Sequence, residues 1–289
     1  MSTLTTCTSS TRPSSPAQGD VLYETDTYRT IVWDGSQWRE YQSSNSPYNL
    51  DGTNSTTVRP LVHFDAAKMN GVDSSGNPSN GSSVSTWTSR VGDNIAYQNA
   101  SASQPTWYSS GANSQPYLDL NNDWFHLRKN FGVPAHGEFT VFWIAYHNNK
   151  FAPFGRVYDG TQGWLFYWNG YQIYAYHGLG GGTLSGNFSA GEDTDSAWLF
   201  TRERTSGSGY GASSASSSFA ALNGNSTVSG TSSQDDAIDI SQIGRCGGTF
   251  HSVGKMYEVM WFESHLSDTD LNSLGAYANS RYSVSWTDF

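Results

Sequence analysis

The sequence predicts an all-β fold: one large antiparallel β-sandwich, with a small N-terminal β-meander ahead of it and a single C-terminal helix. Three observations lead there. Charged residues make up only 14% of the chain and aromatics 15%, and Ser, Thr, Asn and Gly abound, a mixture that favours turn-rich strands over helices built from Ala, Leu, Glu and Lys. From about Val58 short β-rich runs alternate with Gly/Asn/Ser turns, without the intervening helices that a parallel sheet requires. A length of 289 residues fits one large sandwich plus a small module better than three domains.

The N-terminal part, residues 1–42, is expected to be an arm followed by a meander. Residues 1–19 are rich in Ser, Thr and Pro, and Pro13 and Pro16 favour extended backbone. Val21-Leu22-Tyr23 and Thr30-Ile31-Val32-Trp33 read as short strands. Asp34-Gly35 ahead of Gln37-Trp38-Arg39-Glu40-Tyr41 signals a hairpin, because a type I′ turn wants positive φ at both central positions. Three strands this small bury too little to stand alone, so the module is expected to dock on something. Residues 43–57, polar and carrying Pro47, read as a linker.

The sandwich is expected over residues 58–289. Its clearest hairpin is Trp164 to Tyr176, with Asn169-Gly170 as a two-residue turn that places Trp168 opposite Tyr171 and Phe166 opposite Ile173. Phe139 to Tyr146 and Tyr257 to Phe262 are apolar on both alternating faces, as central strands covered on each side should be. Asn223-Gly224 marks another turn, and Ser206 to Ser218 reads as a mobile Gly/Ser loop. Ser267 caps a closing helix, Asp268 and Asp270 suit its first turn, and Leu271, Leu274 and Ala278 keep helical spacing to about Arg281.

Several function classes are disfavoured. The net charge is −10 and no Lys/Arg cluster occurs, so the footprint of nucleic-acid binding is missing. Met1 to Ser10 is polar, and no run approaches the roughly 18 apolar residues of a spanning helix, so neither general secretion nor membrane insertion is expected. Cys7 and Cys246 make neither a disulfide framework nor a zinc spacing, and the seven histidines lack paired ligand spacing. No Gly-X-Ser-X-Gly elbow appears, and Gly207 to Ala212 imitates a dinucleotide fingerprint only in letters. The acidic clusters Glu192-Asp193-Asp195 and Asp235-Asp236-Asp239 lack an EF-hand pattern and read as solvated loops rather than calcium sites. No cofactor and no metal is expected.

The stretches Leu61 to Ala66, Val84 to Trp87, Gln104-Pro105-Thr106, Gln115 to Asp119 and Phe139 to Phe142 resemble a concanavalin A-like lectin/glucanase (laminin-G-like) jelly roll. So do Leu222-Asn223-Gly224, Ile243-Gly244-Arg245, Val253 to Val259 and Leu266-Ser267-Asp268 with its helix. The likeness covers roughly residues 58–286. That family includes glycosidases with Glu-X-Asp-X-X-Glu on one strand, which supplies nucleophile and acid. The nearest match here, Glu258 to Glu263, has Met260 in place of the middle acid. Glu258 therefore reads as a strand residue facing solvent or a base such as Lys255, no catalytic residue is assigned, and the chain is expected not to be an enzyme.

A second resemblance is narrower. Ser10 to Pro16, Gly19, Tyr23 to Thr27 and Trp33 to Trp38 look like a short module of bacteriophage tail fibres and capsid appendages. It implies a virion structural protein at the particle surface, made in the host cytoplasm. Residues 1–42 would then join other virion proteins or trimerise the chain, and the sandwich would face outward to grip host surface glycans. A free lectin and, last, a glycosidase centred on Glu258 and Glu263 are the alternatives. Eleven Trp and seventeen Tyr supply rings that stack on sugars. Trp143, Trp164, Trp168 and Trp261 sit in strand patterns and read as core. Trp107, Tyr108, Trp124, Tyr158 and Tyr210 fall nearer turns and are the candidate ligand-binding residues.

Overall fold

A computed structural model describes residues 5–8, 10–17, 20–25, 29–33, 38–40, 48–49, 55–56, 59–133, 137–147, 150–156, 166–169, 172–176, 183–187, 193–204, 216–224, 226–232, 238–246 and 250–289. The chain divides into two compact units, Met1–Ser46 and Pro47–Phe289.

The first unit is a four-stranded sheet. Val21–Glu24, Arg29–Trp33 and Trp38–Glu40 form the expected antiparallel meander, with Leu22 and Ile31 buried and Trp33 set edge-on against Trp38 at 5.5 Å. Part of the arm is also a strand: Thr5–Cys7 pairs in parallel with Val21–Glu24. The Asp34-Gly35 turn lies outside the described residues, within the four residues enclosed by the Trp33 and Trp38 pair.

The second unit is the predicted antiparallel sandwich. Its larger sheet has nine strands, and at its centre Phe139–His147 lies between Asp195–Arg204 and Val253–Phe262. The free edge of Val253–Phe262 is shared by two partners: Val253 to Met256 pair with Tyr117–Asn121, and Glu258 to Trp261 pair with Val62–Asp65. The facing sheet has five strands, with Phe125–Val133 in the middle. Strand alternation sends Leu118, Leu120, Phe125, Val141, Trp143, Val259 and Trp261 into the core between the sheets. The opposite face of the large sheet makes a second core with the helix Asp268–Tyr282, where Phe142, Ile144, Tyr257, Met260 and Phe262 meet Leu271, Leu274, Tyr277 and Ala278. The apolar runs on both faces of Phe139–His147 and Val253–Phe262 are thus explained: each is covered twice.

The helix starts as predicted, with the Ser267 hydroxyl accepting from the Asp270 N–H. Beyond it the C-terminal segment folds back: Trp286 donates to Asn272 and the Thr287 N–H to the Asn223 carbonyl. At the Asn223-Gly224 turn both residues take positive φ, 51° and 68°, as the sequence signal requires. Of the Trp164–Tyr176 hairpin, Phe166–Asn169 and Gln172–Tyr176 pair as antiparallel strands, with Asn169 opposite Gln172, Trp168 opposite Ile173 and Phe166 opposite Ala175, so the partners differ by two residues from the expected ones; Trp164, Leu165, Gly170 and Tyr171 lie outside the described residues. The 43–57 linker contains a pair of two-residue strands, Tyr48–Asn49 with Ser55–Thr56. Of the proposed loop from Ser206 to Ser218, Ser216 to Ser218 are strand and the rest lies outside the described residues. No helix is long and apolar enough to cross a membrane.

Candidate functional site

Two charged constellations stand on the outer side of the large sheet, one sealed and one open. The sealed one begins with a conflict. Glu258 and Asp65 are cross-strand partners, both wholly buried, and like charges directly opposed on a sheet repel. Arg281, from the last turn of the helix, resolves it: the guanidinium grips both Asp65 oxygens at 3.1 Å and also donates to Glu258. Tyr277 and Tyr282 each donate to Glu258 Oε1 at 2.5 Å, His63 Nε2 lies 2.9 Å from Oε2, and Arg90 reaches Asp65 at 3.4 Å. A carboxylate only accepts, so His63 holds its proton on Nε2.

Burial alone would raise the Glu258 pKa, but Arg281, His63 and Tyr277 outweigh it and hold the carboxyl well below the usual range. Asp65 is raised, by burial and then by the Glu258 charge, against the pull of Arg281, His63 and Arg90. His63 is lowered by burial despite Glu258. Among the described residues, His63, Asp65 and Glu258 are the group with metal-ligand atoms within 4.8 Å of one another. The guanidinium already occupies both carboxylates, so the donor set does not suit a cation. This cluster ties helix to sheet.

It also corrects the reading of Glu258, which faces neither solvent nor Lys255; its base is Arg281. Nor do Glu258 and Glu263 form a pair of acting carboxylates, since the first is sealed behind the helix and the second is exposed past the strand end.

The open constellation spans neighbouring strands of the same sheet, beside the helix. Tyr108 stacks on its cross-strand partner Tyr117 (centroids 5.2 Å, 22°), and Tyr117 meets Tyr257 at 5.7 Å. The adjacent row runs Asp119, Lys255, Tyr146, Asp195 by direct cross-strand pairing. Lys255 Nζ lies over two rings, 5.2 Å from Tyr117 and 4.9 Å from Tyr146, a cation–π arrangement. Tyr146 donates to Asp193 at 3.0 Å and the buried Tyr257 hydroxyl to Asp195 at 2.8 Å, while the latter hydroxyl accepts from the Ala112 N–H. Tyr108, Tyr117, Asp119, Tyr146, Asp195 and Lys255 are all part-exposed and Asp193 is exposed. Tyr146 titrates higher than usual, chiefly through its bond to Asp193; Asp119 is raised by burial, in part offset by Lys255. Part-exposed rings fixed beside carboxylate acceptors offer apolar surface with hydrogen-bonding walls.

The sequence candidates fall as follows. Tyr108 belongs to this face. Trp107, expected at the surface, is a core residue, 5% exposed, its indole N–H donating to the Ala66 carbonyl at 2.8 Å; alternation along the strand Thr106–Tyr108 turns it inward as it turns Tyr108 outward. Trp124 is half-buried near the facing sheet, edge-on to His126 at 4.3 Å and covered by Arg245 at 4.5 Å. Tyr158 and Tyr210 lie outside the described residues. The acidic residues proposed as solvated loops are engaged where described: Asp193 and Asp195 by the two phenols, Asp239 by Arg156 at 3.6 Å. Sequence reasoning did not single out Tyr117, Asp119, Tyr146 or Lys255. The alternation of Tyr117 and Asp119 with Leu118 and Leu120 signalled an open face; the register that aligns the four strands was not readable.

No protein-family model matches the chain, and no curated protein matches its sequence. Among solved structures it resembles domain 4 of AbnA, a GH43 extracellular arabinanase from Geobacillus stearothermophilus, in complex with arabinotriose: 12% identity over 75% of this chain and 98% of that one, TM-score 0.40. It also resembles an arabinofuranosidase complexed with arabinofuranosyl-α-1,2-xylobiose (11% identity, 78% of this chain, 60% of that one, TM-score 0.48). A third is a Trypanosoma rangeli sialidase with the inhibitor DANA (10%, 88%, 43%, TM-score 0.45). The chain thus spans less than two thirds of the latter two. These neighbours are carbohydrate-active or carbohydrate-bound proteins, and they supply no link to a phage tail fibre or capsid appendage. They correct the expectation that the chain is not an enzyme: the sandwich it resembles occurs in glycosidases, so that exclusion is withdrawn.

Proposed function

We propose that the sandwich of residues 47–289 binds carbohydrate on the outer face of its larger sheet, with Tyr108, Tyr117 and Tyr146 as stacking rings. The observation that carries this reading is the two-row array itself, in which part-exposed rings are held in register beside Asp119, Asp193 and Asp195. Sugar rings present an apolar C–H face that stacks on an aromatic plane and a rim of hydroxyls that carboxylates bind strongly. A glycan array probed with the full chain is expected to give a restricted set of positive oligosaccharides. Tyr146→Ala, checked for an unchanged circular dichroism spectrum, should then weaken the best of them at least tenfold. An array without a positive oligosaccharide, or full affinity in the variant, sinks the reading.

A second reading concerns the first unit. Its own four-stranded sheet, with only Leu22 and Ile31 as described buried apolar residues, supports a small module that attaches or oligomerises a larger protein. A virion appendage, trimeric through residues 1–42 and set at the particle surface, is the form proposed on the resemblance of those residues. Light scattering of the full chain beside a chain starting at Val58 tests it: a trimer that becomes a monomer agrees, and the same number of copies in both removes self-assembly through the module.

A further inference from the structure

The charges of the tyrosine face bear on which sugars it would take, a question that rests on the carbohydrate-binding reading. On this face three carboxylates, Asp119 and Asp195 in the second row and Asp193 bonded to Tyr146, stand against the one ammonium of Lys255. That ammonium lies over the Tyr117 and Tyr146 rings, on the strand position directly opposite Asp119. The carboxylates, in contrast, spend little of their capacity inside the protein. Asp193 accepts from Tyr146 through Oδ1 and Asp195 from Tyr257 through Oδ1, while a carboxylate offers about four lone-pair sites. The chain as a whole carries −10, which adds a repulsive background to any anionic ligand.

We infer that this face selects neutral oligosaccharides, whose hydroxyls donate to Asp119, Asp193 and Asp195, and rejects sugars that bear a carboxylate, such as sialylated or uronic-acid-substituted chains. Rejection has a simple origin: a ligand carboxylate brought onto the rings must approach three like charges against the single base Lys255, and like-charge juxtaposition is how surfaces discriminate against wrong partners. Because these groups are part-exposed, the discrimination is screened by salt; at physiological ionic strength the Debye length is about 8 Å, comparable to the spacing across two strands.

The test is a set of matched pairs titrated calorimetrically into the full chain. Xylo-oligosaccharides are compared with their glucuronic-acid-substituted forms, and N-acetyllactosamine with its sialylated form, at low and at high salt. The inference expects the neutral member of the binding pair to be at least tenfold tighter at low salt, with the gap narrowing as salt is raised. It also expects the gap to shrink in the double variant Asp119→Asn/Asp193→Asn, which keeps hydrogen-bond acceptors but removes charge. Equal or tighter binding of the acidic member overturns the selectivity while leaving sugar binding in place. A gap that salt and the double variant leave unchanged also overturns it, since exclusion would then be steric. Binding of neither member in any pair removes the carbohydrate reading and this inference with it.

Discussion

Glu258 shows how much of one residue's behaviour is decided by what reaches it in space. Within the apolar run Met256 to Phe262 it would be expected at an edge or in solvent, because a carboxylate without a partner is costly to bury. Arg281 and two phenols arrive from a helix that begins ten residues later in the chain, and no local pattern announces the meeting. Glu258→Gln leaves Arg281 short of a countercharge, and removing one partner of a buried ion pair typically costs about 3–5 kcal/mol. Urea unfolding should show that loss at pH 7. Because the folded pKa of Glu258 is depressed, its contribution is present above the ordinary carboxylate pKa and lost as pH falls through the depressed value. The gap between wild type and variant should therefore hold from pH 7 to pH 5 and close in stronger acid. A gap that is absent at pH 7 would mean that the cluster does not lock the helix.

At the scale of elements, the helix and the tail behind it show where propensity and packing disagree. Gly275 lies mid-helix, where Ala would ordinarily gain about 1 kcal/mol. A Cβ there would meet the Trp286 ring at 2.1 Å, and overpacking of that kind costs about 1–3 kcal/mol, so Gly275→Ala should lower the melting temperature. In a Trp286→Ala background, with the ring gone, the same substitution should raise it. A stabilising effect in both backgrounds would mean that the tail does not pack on the helix. Existence and type of elements were legible from such local signals: the Ser267 cap, the Asn223-Gly224 turn, and the doubly apolar Phe139–His147 and Val253–Phe262. Register was not. Trp168 pairs with Ile173 rather than Tyr171, and Trp107 faces inward where Tyr108 faces outward, because pairing is settled by partners that the local pattern does not name. The candidate face suffers most from this, being made of one or two residues from each of several strands.

For the molecule as a whole, the two sides of the large sheet divide the work. One side is spent on the core between the sheets. The other is shared between the helix, which hides Glu258 and Asp65 under Arg281, and the tyrosine face, where Tyr108, Tyr117 and Tyr146 stay part-exposed. Composition pointed to aromatic contact surfaces, and the fold leaves the rings of Tyr108, Tyr117 and Tyr146 part-exposed while burying Trp107. Carbohydrate binding at that face is the central claim. The most direct measurement is a titration, followed by aromatic carbon-resolved NMR, of the full chain with the tightest neutral oligosaccharide from the array. The account predicts that the ring signals of Tyr108, Tyr117 and Tyr146 move in proportion to occupancy while those of Trp124 and of Tyr97, which stacks on His126 in the facing sheet, stay still; movement confined to Trp124, Tyr97 and His126 would contradict it and shift the site to the opposite sheet.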